Sequence, residues 1–228
     1  MEIITVVGAG GKTSFINYFT QIHRESLKVL FTTTTKIYVP KKNTYDILFM
    51  NDTDKKHISL KNSGVVVAGK YINQENKIIG LNFEEISNIE KYFDLILIEG
   101  DGSKKKSLKG WRENEPVIYP KSNKVIGIVD ITSYDMDINN DNIHNLSYFI
   151  KISEAKEDKV NLIHLKNMIL NENGLFKNAV GEKILFINKV ENEQYKHLAK
   201  NLINLVKQEN KNIKILYGSI KQGLIMEG

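Results

Sequence analysis

Cysteine is absent from the sequence, which excludes disulfide bonds, thiolate zinc sites, iron–sulfur clusters and a cysteine nucleophile. Proline is scarce, at three residues in 228, and no linker rich in proline, glycine or serine divides the chain. No apolar run is long enough to span a bilayer, and the N-terminus passes straight into a strand-like segment. We therefore expect a cytoplasmic protein with no membrane contact, in which any metal ion is bound by oxygen or imidazole ligands.

The charge of the chain is only mildly positive, with a formal net charge of +5. An unusual abundance of lysine, asparagine and isoleucine accounts for much of it, and the aromatic residues do not alternate with lysines as in nucleic-acid-binding modules. We therefore expect no nucleic-acid partner. Hydrophobic residues at 41% and charged residues at 26% are typical of a globular chain that buries a proper core.

Short apolar runs alternate along the chain with longer helical patterns, as in a parallel sheet flanked by helices. Apolar residues at helical spacing predict helices over residues 12–24, around 160–170 and over 191–209. The fold class that we expect is α/β, a three-layer, mostly parallel sheet of P-loop NTPase type with helices on both faces. The predicted strands cover residues 3–7, 28–33, 65–68, 77–80, 95–98, 125–129, 184–187 and 213–216.

The length of the chain suits a single P-loop α/β domain over residues 1–228. Residues 131–182 are less regular, and we expect an inserted helical subdomain there. The runs at 65–68 and 77–80 are predicted to pair as a hairpin. Asn82, with Glu85 three residues later, predicts a reciprocal capping arrangement at the start of a helix.

A glycine-rich loop followed by lysine and threonine separates the first predicted strand from the first helix. Glycines let successive N–H groups converge, and the helix N-terminus adds the positive end of its dipole. In such a loop a lysine reaches the terminal phosphates of a nucleotide, and a threonine hydroxyl coordinates Mg²⁺. The spacing is a shortened G-x-x-G-K-S/T, which resembles the loops of the ATP-dependent Mur ligases; the alternative is a glycine-rich turn without a ligand. The predicted nucleotide-binding residues here are Gly8, Ala9, Gly10, Gly11, Lys12, Thr13 and Ser14.

Two acidic residues follow the apolar run at residues 95–98. Glu99 and Asp101 are two positions apart, so their side chains point to one side if the strand continues. Mg²⁺ prefers one or two carboxylates together with phosphate oxygens and water. We therefore predict Thr13, Glu99 and Asp101 as metal ligands, and Lys12, Glu99 and Asp101 as catalytic residues. The alternative for Asp101 is a tight turn with the glycine that follows it.

The second predicted strand ends in a run of four threonines. If this strand neighbours the first, its carboxyl end lies beside the glycine-rich loop, where ligands bind in open α/β sheets. We then expect Thr33 and Thr34 to contact the phosphates or a metal-bound water. Threonine also favours strands for steric reasons alone.

A basic segment with a single tryptophan follows the acidic turn. Most of the lysines from Lys104 to Lys109 are expected to be solvated, with one or two binding a phosphate-bearing anion. Trp111 is predicted either to close over a substrate or to pack within the loop.

A late predicted strand ends in Asn188 and Lys189, a pattern similar to the guanine-reading element of GTPases. Glu191 stands where that element has aspartate, so the prediction that Asn188 and Lys189 contact a base leaves the choice between ATP and GTP open. The alternative is that asparagine and lysine are simply abundant in this chain.

Taken in order, five segments resemble the selenium-dependent hydroxylase accessory protein family (YqeC type). Lys36, Gly100 and Glu191 depart from the His, Ala and Asp that the family often has at these positions. The resemblance implies a P-loop nucleotide-binding protein associated with the maturation of molybdenum-containing hydroxylases. The five segments are VVGAGGKTSF, TTTTKIY, LILIEGDGSKKKSLKG, ENEPVIYP and FINKVE.

We therefore predict a Mg²⁺-dependent nucleoside triphosphatase that binds ATP or GTP and acts by positioning and charge neutralisation. Its partners would be the nucleotide and either the molybdenum cofactor or a hydroxylase client protein. Two alternatives stay open. One is an ATP-dependent ligase or small-molecule kinase with a loop of the Mur ligase kind, and the other is a nucleotide switch that does not hydrolyse its ligand.

Overall fold

The structure, a computed structural model, describes residues 1–50, 58 and 62–228. The helices are α1 (Lys12–His23), α2 (Phe83–Ile89), α3 (Leu146–Ser153), α4 (Leu162–Leu170) and α5 (Glu193–Glu209). The strands are β1 (Glu2–Gly8), β2 (Lys28–Thr33), β3 (Lys36–Tyr38), β4 (Ile47–Met50), β5 (Gly64–Gly69), β6 (Lys77–Ile79), β7 (Leu95–Glu99), β8 (Leu108–Lys109), β9 (Lys124–Asp130), β10 (Ile143–His144), β11 (Glu182–Asn188), β12 (Lys214–Ser219) and β13 (Leu224–Glu227).

In the described part of the chain, nine strands form one sheet in the order β13-β12-β11-β9-β1-β7-β2-β5-β4. Its pairs are parallel except at one edge, where β13 runs antiparallel to β12. From β1 the chain passes through α1 to β2 on one side, whereas β9 lies against β1 on the other. The strand order therefore reverses at β1, which is where ligands bind in open sheets of this kind.

Register brings the carboxyl ends of the central strands to one edge. Glu99 at the end of β7 lies opposite Val6 of β1 and Thr33 of β2. On the other side of β1, Gly8 lies opposite Ile128, two residues before the end of β9. These strands are apolar and almost wholly buried, as expected of a parallel sheet covered on both faces.

Alternate side chains of β1 face different layers. Val6 packs with Phe15 and Ile16 of α1 on one face. Ile3 packs in a cluster that includes residues of α2, and Val7 packs in one with residues of α3, α4 and α5. The sheet therefore lies between helical layers, and the predicted three-layer fold class is confirmed.

The predicted hairpin between residues 65–68 and 77–80 is wrong. The first run is β5, which enters the central sheet between β2 and β4, and the second is β6, which pairs antiparallel with β3. The local partner of β6 is the segment at 70–73, since the N–H of Ile79 donates to the Tyr71 carbonyl at 2.9 Å. β5 instead pairs with β2 in the central sheet. If β5 paired only with β6, the backbone groups of β2 that bond to β5 would have no partner.

The predicted cap of α2 is confirmed. The Asn82 side chain accepts from the Glu85 N–H at 2.8 Å, and the Glu85 carboxylate accepts from the Asn82 N–H at 2.6 Å.

Residues 131–182 contain the predicted helix, α4, and a second helix, α3. The sequence did not predict α3, because its aromatic and β-branched residues have a low helix propensity. Both helices pack in the same cluster as α5. The inserted subdomain stays a prediction.

Replacing Phe15 by alanine should weaken the attachment of α1 to the sheet. Its ring is 1% exposed, stacks on Phe19 at 4.4 Å between centroids and contacts Phe186 at 5.4 Å. The cavity should lower the free energy of unfolding by about 3–5 kcal/mol in urea titrations. Phe83→Ala, at a ring that is 39% exposed, serves as the control and should cost less than about 1 kcal/mol. Equal losses for both variants would contradict this account of the core.

Candidate functional site

The loop between β1 and α1 (residues 8–13, here the glycine loop) is held in a conformation that needs glycine. The φ angles are 101° at Gly8, 83° at Gly10 and 131° at Gly11. A Cβ atom on Gly8 would lie 2.3 Å from the Ile128 carbonyl oxygen, and one on Gly10 would lie 2.3 Å from the Cβ of Asp130. Left-handed backbone and close neighbours both exclude larger residues here.

The glycine loop directs unpaired donors outward at the start of α1. Gly11 occupies the N-cap position, gives the helix no side-chain cap, and no acidic residue follows in the first turn. Across the described residues, the N–H groups from Gly10 to Ser14 donate to no protein acceptor. A helix start leaves such donors in need of partners, and its dipole favours a negatively charged one. The arrangement can therefore bind an anion.

The fully buried carboxylate of Asp101 holds the base of the glycine loop. Both of its oxygens lie 3.1 Å from the Gly8 nitrogen, and Oδ2 accepts from the Trp111 indole at 2.7 Å. The ammonium groups of Lys12 and Lys109 lie 3.3 and 3.2 Å away. Burial alone would raise the pKa of Asp101, but these two charges and the hydrogen bonds lower it below its usual value. Asp101 is therefore a charged residue that holds the base of the glycine loop in place.

Glu99 and Thr13 form a second polar pair beside the loop. The Thr13 hydroxyl donates to Oε2 of Glu99 at 2.8 Å, while Oε1 lies 3.9 Å from the Lys12 ammonium. Burial raises the pKa of Glu99, against the opposing effect of Lys12 and of the Thr13 hydrogen bond. A hydroxyl and a carboxyl group, both oxygen ligands of the kind that Mg²⁺ prefers, are thus in contact beside the loop.

Lys12 links the two carboxylates. Its side chain is 3% exposed and folds back so that its ammonium donates to the Gly8 carbonyl at 2.5 Å. The structure thereby brings together all three predicted catalytic residues, Lys12, Glu99 and Asp101. Their catalytic and metal-binding roles stay predictions.

The predicted threonines lie at the same edge of the sheet, with their hydroxyls turned to backbone carbonyls. Thr33 donates to the Glu99 carbonyl at 2.7 Å, and Thr34 donates to the Val117 carbonyl at 2.8 Å. The first bond fixes the carboxyl end of β2 to that of β7, and the second joins the residue after β2 to the segment that contains Val117. The predicted contact with phosphate stays a prediction.

Asn188 and Lys189 lie on the side of the glycine loop opposite to Asp101. The Asn188 carboxamide donates to the Gly10 carbonyl at 3.0 Å and accepts from the Ile220 N–H at 3.2 Å. Lys189 forms an ion pair with Asp130 at 2.5 Å. The predicted base-reading element therefore supports the loop, and its contact with a base stays a prediction.

Sequence reasoning missed Asp130, the buried last residue of β9. One carboxylate oxygen accepts from the N–H and the hydroxyl of Thr132, at 3.0 and 2.6 Å, and the other pairs with Lys189. Its position could have been noticed, because β9 ends in an acid just as β7 does. Asp130 closes the side of the loop away from Asp101.

The basic segment holds an exception to the expected solvated lysines. Lys104 and Lys105 are exposed, but the Lys109 side chain is 0% exposed and donates to the Gly102 carbonyl at 2.8 Å. Of the two interpretations of Trp111, the structure favours packing within the loop, because this residue is 2% exposed. Nothing local in the sequence separates Lys109 from its neighbours.

No cluster of three or more histidine, aspartate and glutamate side chains suited to a metal ion occurs among the described residues. Within that same part of the chain, no helix is both long and apolar enough to cross a bilayer.

A mostly parallel sheet between helical layers, with a glycine loop where the strand order reverses, defines a three-layer α/β protein, and this fold is consistent with the architecture of P-loop NTPases. Residues 4–147 match the family model described as YqeC protein. The YqeC protein of Escherichia coli (strain K12) is 30% identical over 194 residues, which cover 82% of this chain and 75% of that protein. The chain therefore belongs to the YqeC family, and the resemblance drawn from its motifs is confirmed.

Gly10→Ala should distort the glycine loop, because the new Cβ would meet Asp130 and the φ angle is positive. We expect a loss of about 1–3 kcal/mol in the free energy of unfolding. Gly102→Ala is the matched control, since a Cβ there would meet nothing within 4 Å, and it should change stability by less than about 0.5 kcal/mol. Urea titration of both variants tests the geometry, and a neutral Gly10→Ala would refute it.

Asp101→Asn should destabilise the protein by about 3–5 kcal/mol at neutral pH, because the Lys109 ammonium loses its closest buried counter-charge. The folded-state pKa of Asp101 is lowered, so its contribution is present above the ordinary aspartate pKa and is lost as the pH falls towards the folded-state value. The difference in stability between parent and variant should therefore shrink in acid.

The double variant Asp101→Asn/Lys109→Met controls for this effect by removing both charges, and it should recover part of the lost stability. Urea titrations across an acid pH series measure both quantities. Strictly additive losses, or a difference independent of pH, would show that the two groups do not act as a pair.

Proposed function

We propose that this protein binds a nucleoside triphosphate with Mg²⁺ and hydrolyses its terminal phosphoanhydride bond. The observation that carries the proposal is the row of N–H groups from Gly10 to Ser14, which have no acceptor among the described residues and lie beside the Lys12 ammonium. A polyphosphate would satisfy these donors, and Lys12 would exchange the Gly8 carbonyl for phosphate oxygens. Buried lysine, converging amides and a helix dipole all favour the same kind of ligand.

Thr13 and Glu99 are the residues best suited to hold Mg²⁺. A hydroxyl and a carboxylate already in contact match the ion's preference for oxygen ligands, with phosphate oxygens and water completing the set. Bound Mg²⁺ would neutralise charge on the phosphates. Asp101 already accepts two hydrogen bonds and faces two ammonium groups, which supports a positioning role for it in preference to the predicted role as metal ligand.

In the proposed reaction, water adds to the terminal phosphorus, the bond to the leaving diphosphate oxygen breaks, and a nucleoside diphosphate and inorganic phosphate are released. Lys12 would stabilise the charge that develops on the phosphates. Membership of the YqeC family supports a place in the maturation of selenium-dependent molybdenum hydroxylases, through the family resemblance described above.

A second candidate is a nucleotide switch without hydrolysis. The observation that favours it is the link from Lys12 through Asp101 to Lys109, which joins the glycine loop to the basic segment. Movement of Lys12 onto a phosphate would remove one of the two positive charges beside Asp101. The contact of Asp101 with Lys109 in the basic segment would change as a result.

Thermal unfolding with ATP or GTP and Mg²⁺ should test nucleotide binding. Ligand at one hundred times its dissociation constant should stabilise the parent by about 2.7 kcal/mol, and Lys12→Ala should lose most of this effect. Glu99→Gln should retain a nucleotide effect but lose its dependence on Mg²⁺.

Lys200→Ala, at an exposed lysine of α5, is the matched control and should respond as the parent does. Phosphate release measured in parallel separates the two candidates, because a switch binds nucleotide without turnover. An equal nucleotide effect in the parent and in Lys12→Ala would contradict the proposal.

A further inference from the structure

A compact cationic surface lies next to the glycine loop and is not used by the proposed reaction. It consists of the exposed Tyr38 ring and the lysines around it, and we call it the Tyr38 patch. The ammonium of Lys105 lies 4.5 Å from the ring centroid and that of Lys77 lies 5.1 Å from it. Tyr38 is 48% exposed, and Lys36, Lys104 and Lys105 are exposed as well, whereas Lys77 is half-buried. The Tyr38 patch is Lys36, Tyr38, Lys77, Lys104 and Lys105.

Positive charge in the patch is largely uncompensated. Glu75 is hydrogen-bonded by Lys77 at 2.8 Å, and its pKa is lowered first by that bond and then by the charges of Lys77, Lys36 and Lys104. Over the described ranges, no carboxylate lies within ion-pair distance of Lys36, Lys104 or Lys105. Three lysines thus act on one glutamate, while Lys105 lies over the Tyr38 ring, and the surface attracts anions.

The turn that presents Lys104 and Lys105 is built to hold both outward. Their φ angles are 51° and 64°, a left-handed conformation that is costly for lysine and found where surrounding structure enforces it. The enforcing contacts lie on either side. Lys109 donates to the Gly102 carbonyl at 2.8 Å, and Lys106 donates to the Asn140 carbonyl.

The patch is close to the glycine loop because two of the segments that form it, one after β7 and one after β2, begin at the same edge of the sheet. Lys104 is three residues after Asp101, which limits the separation of their Cα atoms to about 11 Å. Lys36 is two residues after Thr34, whose N–H donates to the Glu99 carbonyl at 3.2 Å. A ligand on the patch would therefore lie beside a nucleotide in the loop.

We propose that the Tyr38 patch is a second anion site, which binds the phosphate group of a phosphorylated small molecule next to the glycine loop. Lysine ammonium groups are compact point charges that suit a phosphate, and the patch spans one aromatic ring. Nucleic acid needs a longer basic track with several stacking rings. The proposal goes beyond the proposed function, and binding at the patch does not require a nucleotide in the loop.

Inorganic phosphate is the probe, and NMR signals of the Tyr38 ring and of the Trp111 indole N–H report the patch and the glycine loop separately. Phosphate should shift the Tyr38 signals saturably in the parent and equally in Lys12→Ala. The variant Lys104→Gln/Lys105→Gln should bind phosphate at the patch about tenfold more weakly, because it loses two charge-assisted contacts. Lys200→Gln/Lys211→Gln removes the same charge from exposed positions elsewhere and should bind as the parent does.

Two outcomes would overturn the patch proposal. One is a Tyr38 response that is unsaturable or equal in the parent and the patch variant. The other is a short single-stranded oligonucleotide that binds the patch when phosphate does not. A Lys12→Ala protein that keeps its nucleotide effect would refute the proposed function while leaving the phosphate response of Tyr38 as the test of the patch.

Discussion

One buried carboxylate, that of Asp101, organises the carboxyl edge of the sheet. It accepts hydrogen bonds from Gly8, where β1 turns into the glycine loop, and from Trp111 in the basic segment. It also faces the ammonium groups of Lys12 and Lys109. An ion so deeply buried is stable only with its partners in place, because each unpaired charge would cost several kcal/mol. The contacts of Asp101 therefore fix the glycine loop, the start of α1 and the basic segment relative to one another.

The balance of charge explains why a lysine as buried as Lys109 lies at this edge. Lys12 faces Glu99 and Asp101, and Lys109 faces Asp101 and Glu115, so each buried ammonium group lies near two carboxyl groups. A phosphate that drew Lys12 away would leave Asp101 with a counter-charge in Lys109. Burial raises the pKa of Glu99, so a cation bound beside it would favour its ionised form. Under the proposed function, Lys12 could therefore leave its protein partners for a phosphate without leaving Asp101 unpaired.

Much of the sheet and of the glycine loop could be predicted because their signals are local. Apolar runs mark the central strands, glycine spacing marks the loop, and four residues specify the cap at Asn82. The roles of Lys109 and Asp130 depend on contacts between segments far apart in the chain, which no local pattern encodes. The bond from Asn188 to the Gly10 carbonyl, for example, joins residues 178 positions apart. The hairpin prediction failed for the same reason, since the partner of β5 is the distant β2.

The glycine loop and the Tyr38 patch both adjoin the single turn that follows β7. At its buried end, Asp101 fixes the glycine loop, and three and four residues later Lys104 and Lys105 are exposed to solvent near Tyr38. Lys109 contacts Asp101 at 3.2 Å and the Gly102 carbonyl at 2.8 Å, so one ammonium holds both the anchor and the start of the turn. A shift of Asp101 would therefore disturb the contact that holds the start of the turn. The distance between the glycine loop and the Tyr38 patch is set by the backbone of this turn, which is held by hydrogen bonds at both of its ends. The positions of the two surfaces are therefore coupled.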